Sequence, residues 1–333
     1  MYIFYGSPQS LFTRKLQNAL TFYGAPFEFR RKRGSNMEQE IEFRSGTHQI
    51  PVLNTPEGWM IADTTPMMSL LDARYPLRRQ FPPGVEGVLV HIIEEYFDEW
   101  IPRVMVHYRW NYPESAKVAS EQIGNGDEEA ARKIREWGPK ACRATGTGTP
   151  ELGRAAEEEY VQLLEAMEVQ LRKTPYLMGS RPTAVDCAVL GGLHGHMLND
   201  PDPLKVVRGF PGVVDWATSR AEAWDGSGEV APMLEMTGFA RHVLNEMPHT
   251  YRPVLLANSD ALRQGKKFFV VETYGIEASY LTRPYPERSR SMIVQRIEDT
   301  LTSAEQKEMD SWLERIGLAD CFSPSFFHVE AVS

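Results

Sequence analysis

Ser10 stands at the entry to a helical run, in Tyr5-Gly6-Ser7-Pro8-Gln9-Ser10-Leu11-Phe12. A serine there caps free helix amides, and a hydroxyl together with those amides favours a bound anion. Ser7 and Tyr5 offer further hydroxyls in the same segment. Asp63 and Thr64, in Ala62-Asp63-Thr64-Thr65-Pro66, precede a second helical run. Either residue can act as its N-cap, and an N-terminus with free amides is also an anion site. Gln49-Ile50-Pro51-Val52-Leu53 sets an X-Pro bond at a strand edge. Arg103, Tyr108, Trp110 and Tyr112 crowd one helical run, in the density expected of a core or a pocket wall. His194 and His196 stand two apart, so they share no helical face and make a poor metal pair; a structural role is expected.

The elements that must carry these residues follow from periodicity. Residues 1–80 alternate short β-rich runs with helical patterns, in the order β-α-β, a charged stretch through Met37 to Phe43, then β-β-α. Pro82-Pro83-Gly84 reads as a linker. Residues 85–244 are helical and amphipathic, with a long run over Glu151 to Lys173 and a short helix over Asp127 to Trp137 before an exposed loop to Thr149. Residues 245–333 differ again. Lys267 to Glu272 and Ile276 to Leu281 flank Thr273-Tyr274-Gly275 as a hairpin. Two helices follow, the second opened by Ser303-Ala304-Glu305-Gln306 with capping-box spacing.

Composition narrows the partners. With 42% hydrophobic and 24% charged residues the chain is ordinary globular material, long enough for more than one core. A net charge of −9 argues against nucleic acid, and the cluster Arg30-Arg31-Lys32-Arg33 is read as a solvated loop. No apolar run reaches the roughly 18 residues of a membrane span, and the N-terminus lacks a basic, apolar leader. Cys142, Cys187 and Cys321 are widely spaced and odd in number, which indicates neither a disulfide framework nor a zinc cluster and fits a reducing, cytoplasmic setting. No cysteine precedes Cys142, so dithiol exchange cannot run from the first helix start.

Over about residues 1 to 240 the pattern resembles the glutathione transferase superfamily, serine-type and bacterial-like. The resemblance rests on the Tyr5 to Lys15 segment, on Gln49-Ile50-Pro51, on Ala62-Asp63-Thr64, and on Tyr176 to Asp186 followed by a small apolar run, with Phe210-Pro211 and Trp216 later. It implies a thioredoxin-like α/β N-terminal domain (1–80), an all-α helical bundle domain (85–244) and a small α+β C-terminal extension (245–333). It further implies that Ser10 stabilises the glutathione thiolate, with Ser7 and Tyr5 as alternatives. Leu11 follows Ser10 where the family often has proline, and Asp63-Thr64 stands where Glu-Ser is commoner.

The resemblance assigns Gln49, Ile50, Pro51, Asp63 and Thr64 to the tripeptide. Pro51 would be cis, freeing the Ile50 backbone for an extended peptide, and Asp63 would pair with the ligand ammonium. Thr183 and Asp186 would form a buried capping box. An electrophilic, hydrophobic second substrate would lie against the second domain, with Arg103, Tyr108, Trp110 and Tyr112 as its wall. Glutathione as co-substrate, homodimeric association and transferase, lyase or isomerase chemistry are what the resemblance implies; a non-catalytic binding or scaffold protein is the alternative.

Overall fold

The computed structural model describes residues 1–220 and 224–326; the last residues of the expected extension lie outside them. The N-terminal part is a mixed four-stranded sheet in the order β2-β1-β3-β4, from β1 (Tyr2–Gly6), β2 (Phe27–Arg31), β3 (Val52–Asn54) and β4 (Met60–Ala62). β1 and β2 are parallel, while β3 is antiparallel to both β1 and β4. The parallel pair needs a crossover, and α1 (Leu11–Tyr23) supplies it, buried through Leu16, Ala19 and Leu20 and ended by Gly24 in the left-handed conformation at φ 66. The charged stretch expected between β2 and β3 folds as α2 (Glu38–Ser45), and α3 (Thr64–Arg74) follows β4. This is the thioredoxin-like arrangement.

A helical region follows: α4 (Gly84–Glu95), α5 (Pro102–Asn111), α6 (Pro113–Gly124), α7 (Glu128–Ala144), α8 (Pro150–Leu171), α9 (Ala184–Gly192), α10 (Pro201–Val207), α11 (Pro211–Asp215) and α12 (Gly238–Glu246). α7 runs past Trp137, through Pro139, so most of the expected exposed loop is helix. The Thr183–Asp186 capping box is present, with the Asp186 carboxylate accepting from the Thr183 and Leu177 amides at 2.8 and 2.9 Å. Three π-helical turns interrupt the bundle, at Tyr96–Trp100, Leu193–Met197 and Trp216–Arg220. At Tyr96–Trp100 the cause is local: Pro102 has no N–H for the carbonyl four residues back, and the Ile101 amide bonds Tyr96 instead, at 2.9 Å. At Leu193–Met197 the second turn lays Gly195 on the start of α1, where a Cβ would stand 2.9 Å from the Leu11 nitrogen.

The C-terminal part opens with α13 (Tyr251–Arg263), then the hairpin β5 (Phe268–Thr273) and β6 (Ile276–Leu281). Its two turn residues, Tyr274 and Gly275, have φ of 56 and 71, as a tight hairpin of this hand requires. α14 (Pro284–Thr300), α15 (Ser303–Arg315) and α16 (Ala319–Phe322) complete it. The capping box of α15 starts at Thr302, one residue before the expected Ser303, with both reciprocal bonds to Glu305. One continuous buried cluster joins residues of all three parts, from Phe4 and Leu16 through Ile93 and Trp100 to Tyr251, Ile293 and Trp312. No helix among the described residues is long and apolar enough to cross a membrane.

Candidate functional site

The Ile50–Pro51 bond is cis. The β1–β3 register begins at Tyr5 opposite Val52, so Ile50 stands outside the ladder. Lys32, expected in a solvated basic loop, is instead fully buried, and its Nζ donates to the carbonyls of Thr47 and Gln49 at 3.0 and 2.8 Å. That cation holds the loop entering Pro51. Spacing gave no sign of it; one of four adjacent basic residues folds inward where unpaired carbonyls need a donor.

Asp63 caps α3, its Oδ1 accepting from the Thr65 amide at 3.4 Å. Its φ is 71, a strained conformation for a residue with a Cβ and one that gathers at ligand sites. Burial first, then the neighbouring Asp98, raises its carboxyl above the ordinary value. Gln49, Ile50, Pro51, Asp63 and Thr64 all line one cavity of about 170 Å³. Beside it an open cleft shares Gln49, Ala62 and Asp63. The structure thus brings the five expected tripeptide residues together.

Ser10 is the N-cap of α1, its Oγ accepting from the Thr13 amide at 3.3 Å. It is half-buried, and Phe12, two residues on, is the α1 residue that lines the cavity. Ser7 Oγ donates to Gln9 at 2.9 Å, and Tyr5 is buried with Ile41 and Val52. The loop ahead of Ser10 is anchored from the bundle. Buried Arg109 donates from Nη1 to the Gln9 carbonyl at 2.7 Å and from Nε to Asp200 at 2.7 Å.

The far wall of the cavity is Asp98 and Glu99, on the first π turn, with Arg283 and Tyr285 from the C-terminal part. Buried Lys15 of α1 ties the wall down, its Nζ bonding Glu94 and, at 2.6 Å, Asp98 Oδ1. A visible signal was present here: four acids in six residues, Glu94-Glu95-Tyr96-Phe97-Asp98-Glu99, follow an apolar helix. Carboxylates on a buried face need partners or a function.

A second cavity, of about 200 Å³, adjoins the first and shares Phe12, Asp98, Glu99 and Arg283 with it. Its remaining lining is largely apolar and includes Trp100, Val106, Val254, Phe269 and Tyr280. Of the four residues expected to wall a second substrate, Arg103 lines it. Its guanidinium is held by Glu159 and Tyr274 and lies 3.8 Å from the Trp100 ring centroid. Tyr108, Trp110 and Tyr112 do not line it. Tyr108 stacks on Tyr112 at 5.5 Å, Tyr112 donates to Glu157 at 2.6 Å, and Trp110 packs on Gly138 and Trp137. Tyr112, with Tyr108 stacked on it, is held by α8, and Trp110, two helical turns on from Arg103, is covered by α7. The wall in their place comes from α13 and the hairpin, which the sequence left unassigned.

His194 Nε2 bonds the Ala217 carbonyl at 2.8 Å, and burial with Arg109 alongside keeps His196 neutral. Among the described residues no group of three or more His, Cys, Asp or Glu is placed to hold a metal.

Residues 4–79 match the family model of the glutathione S-transferase N-terminal domain. Solved structures similar to the chain include a glutathione S-transferase from Rhodospirillum rubrum F11, 15% identical at a TM-score of 0.47, covering 68% of this chain and 90% of that one. The beta-etherase LigF of Sphingobium sp. strain SYK-6 is 19% identical at 0.47, covering 68% and 96%. A glutathione S-transferase of Methylobacterium radiotolerans in complex with glutathione sulfonate is 18% identical at 0.44, covering 68% and 92%. No curated protein matches the chain. The family match falls on the same segment that carries the cis-proline turn and the acidic cap of α3, and that segment is similar to the glutathione S-transferase N-terminal domain.

Proposed function

We propose that the chain is a glutathione-dependent transferase or lyase, in which the tripeptide occupies the cavity at Ile50–Pro51 and Asp63 and an electrophile occupies the adjoining apolar cavity. The observation that carries this reading is the convergence of Gln49, Ile50, Pro51, Asp63 and Thr64 on one cavity beside a second, apolar one. The Asp63 carboxylate takes the ligand ammonium, and Thr64 with the first amides of α3 takes its carboxylate. The Ile50 backbone, outside the ladder, is the peptide edge for the cysteinyl unit. Ser10 supplies the hydroxyl for the sulfur. Lowering a thiol by about two pKa units takes roughly 2.7 kcal/mol, within reach of one charge-assisted hydrogen bond plus the helix field. Homodimeric association and a reducing cytoplasmic setting belong to the same reading; the three buried, unpaired cysteines are compatible with it, and light scattering measures the mass.

Calorimetric titration with glutathione tests it, using wild type, Asp63→Ala and Ser10→Ala. Saturable binding lost in Asp63→Ala and kept in Ser10→Ala, with turnover of an activated aryl halide falling at least tenfold in Ser10→Ala, is expected. A second reading, a non-catalytic thiol-tripeptide or scaffold protein, draws on the engagement of Ser10 Oγ as a helix cap and on the three carboxylates, Asp63, Asp98 and Glu99, around the cavity. Binding without turnover in wild type would favour it.

A further inference from the structure

The wall between the two cavities is made of four residues, Phe12, Asp98, Glu99 and Arg283. A group there faces the sulfur of a bound thiol on one side and the reacting carbon of an apolar electrophile on the other. Phe12 carries no exchangeable proton, and a guanidinium does not release one. Asp98 is committed to Lys15, at 2.6 Å. Glu99 remains. Its side chain is only 7% exposed, and Oε2 lies 2.8 Å from Arg283 Nη2 in an ion contact without hydrogen-bond alignment. Nη2 donates instead to the Glu99 carbonyl, at 3.3 Å. One oxygen of a nearly dry carboxyl is thus left without a hydrogen bond on the partition.

We propose that Glu99 is a general acid of this site, giving its proton to an oxygen leaving group, so that the electrophile is an epoxide or ether seated in the apolar cavity. This rests on the glutathione reading above. In the step, the thiolate sulfur forms the C–S bond as the C–O bond breaks with its electron pair passing to oxygen. The Glu99 proton passes to that oxygen, and the carboxylate left behind regains a proton from the next incoming thiol. Thiol and epoxide thus give the hydroxy thioether; thiol and ether give the thioether and an alcohol or phenol.

The electrostatics support the direction of transfer. Burial is the largest influence on Glu99, and Arg283 opposes it; Asp98 and Asp63 add to the burial while Lys15 opposes. Glu95, one turn back on α4, and Tyr251 on α13 are the other titratable groups against it. The balance pushes its carboxyl up to about 7, so that a substantial share of it carries a proton near neutrality, in the range suited to a general acid. The apolar cavity, about 200 Å³, has room for a single aromatic ring with a short substituent; an apolar cavity of about 150 Å³ holds benzene.

The test compares two one-ring electrophiles of similar size, styrene oxide, whose oxygen must be protonated, and benzyl chloride, whose chloride leaves unaided. Glutathione affinity is measured alongside for wild type, Glu99→Gln and Glu99→Asp. The epoxide-to-chloride turnover ratio is expected to fall about 100-fold in Glu99→Gln and to recover in part in Glu99→Asp. In wild type the epoxide rate is expected to decline as pH rises through about 7, a limb absent from the chloride profile. An unchanged ratio in Glu99→Gln overturns the inference, as does a wild type that binds glutathione and turns over the chloride alone or neither compound; all of these leave the glutathione site standing. A wild type that does not bind glutathione overturns the proposed function, and the inference falls with it.

Discussion

Glu95 closes the last turn of α4, fully buried and without a cation beside it; the Tyr251 hydroxyl donates to its Oε1, while Oε2 has no hydrogen-bond partner. Burial, with the charges of Glu99 and Glu94 adding to it, raises its carboxyl well above the 4.5 of an ordinary glutamate. A carboxyl raised in the fold binds a proton that the unfolded chain has released. Its contribution to stability is therefore full below about pH 4.5 and is lost as pH rises through the folded value. His91, fully buried, and His196, half-buried, run the other way and lose stability as pH falls below about 6.5, so the net pH profile mixes both signs. A comparison isolates the carboxyl. Glu95→Gln keeps the neutral shape at every pH, and its melting temperature is expected to match wild type at pH 4.5 and to exceed it increasingly toward pH 8. Melts showing a constant offset across that range would remove Glu95 from the pH response. The same logic explains why the caps at Ser10 and Asp63 and the cis Ile50–Pro51 bond were legible in the sequence while the burial of Glu99 was not. The first three sit at element ends, where local rules act; Glu99 acquires its character only from the burial and charges that tertiary packing brings.

At the scale of elements, helix α1 is the piece that presents Ser10 and Phe12, and its start is set from outside. The Gly195 backbone lies on Leu11 and leaves no space for a Cβ, while Arg109 of α5 reaches past it to the Gln9 carbonyl and the Asp200 carboxylate. Both Arg109 and Asp200 are buried, so the pair has lost its hydration and depends on mutual geometry. Arg109→Met leaves Asp200 as an uncompensated buried charge and frees the loop before Ser10. A loss of roughly 3–5 kcal/mol in urea unfolding is expected. Arg109→Met with wild-type stability would mean that α1 is positioned by apolar packing alone. Periodicity found α1, α3, the hairpin strands and the long α8 because each has a clean face or a turn to mark it. It ended α7 too early, since Pro139 sits inside a helix that packs on Trp110, and it missed the three π turns, two of which arise from Pro102 and from the approach of α1. It also assigned Tyr108, Trp110 and Tyr112 to a pocket wall by composition, whereas the packing of α8 on the two tyrosines and of α7 on Trp110 keeps them from the cavity.

At the scale of the molecule, the C-terminal part is built into the core. Trp100, on the turn that carries Asp98 and Glu99, stacks among Tyr251, Tyr274 and Tyr280 at centroid distances of 6.1 to 6.4 Å. Tyr251 is the hydroxyl on Glu95, Arg296 of α14 donates to His91 at 3.2 Å and lies over Phe81 at 4.7 Å, and Arg283 contacts Glu99. Each large apolar side chain returned to water costs about 1.5–3 kcal/mol. Cutting the chain after Met247 removes Tyr251, Leu255, Phe269, Tyr280, Ile293 and Ile297 from the buried cluster and bares the faces of α4 and the first π turn. A handful of such losses equals the roughly 5–15 kcal/mol by which a domain is stable, before Glu95 and His91 lose their partners. Residues 1–247, though they retain the sheet, the cis-proline edge and the whole helical bundle, are therefore expected to lack a cooperative melt and to bind a hydrophobic dye. The full chain, measured alongside, should melt sharply and exclude it. A sharp melt from the fragment, with glutathione affinity equal to that of the full chain, would mean that the C-terminal part is an attachment to a self-sufficient fold. The expected outcome makes it the missing side of the core and, through Phe269, Tyr280 and Arg283, of the second cavity.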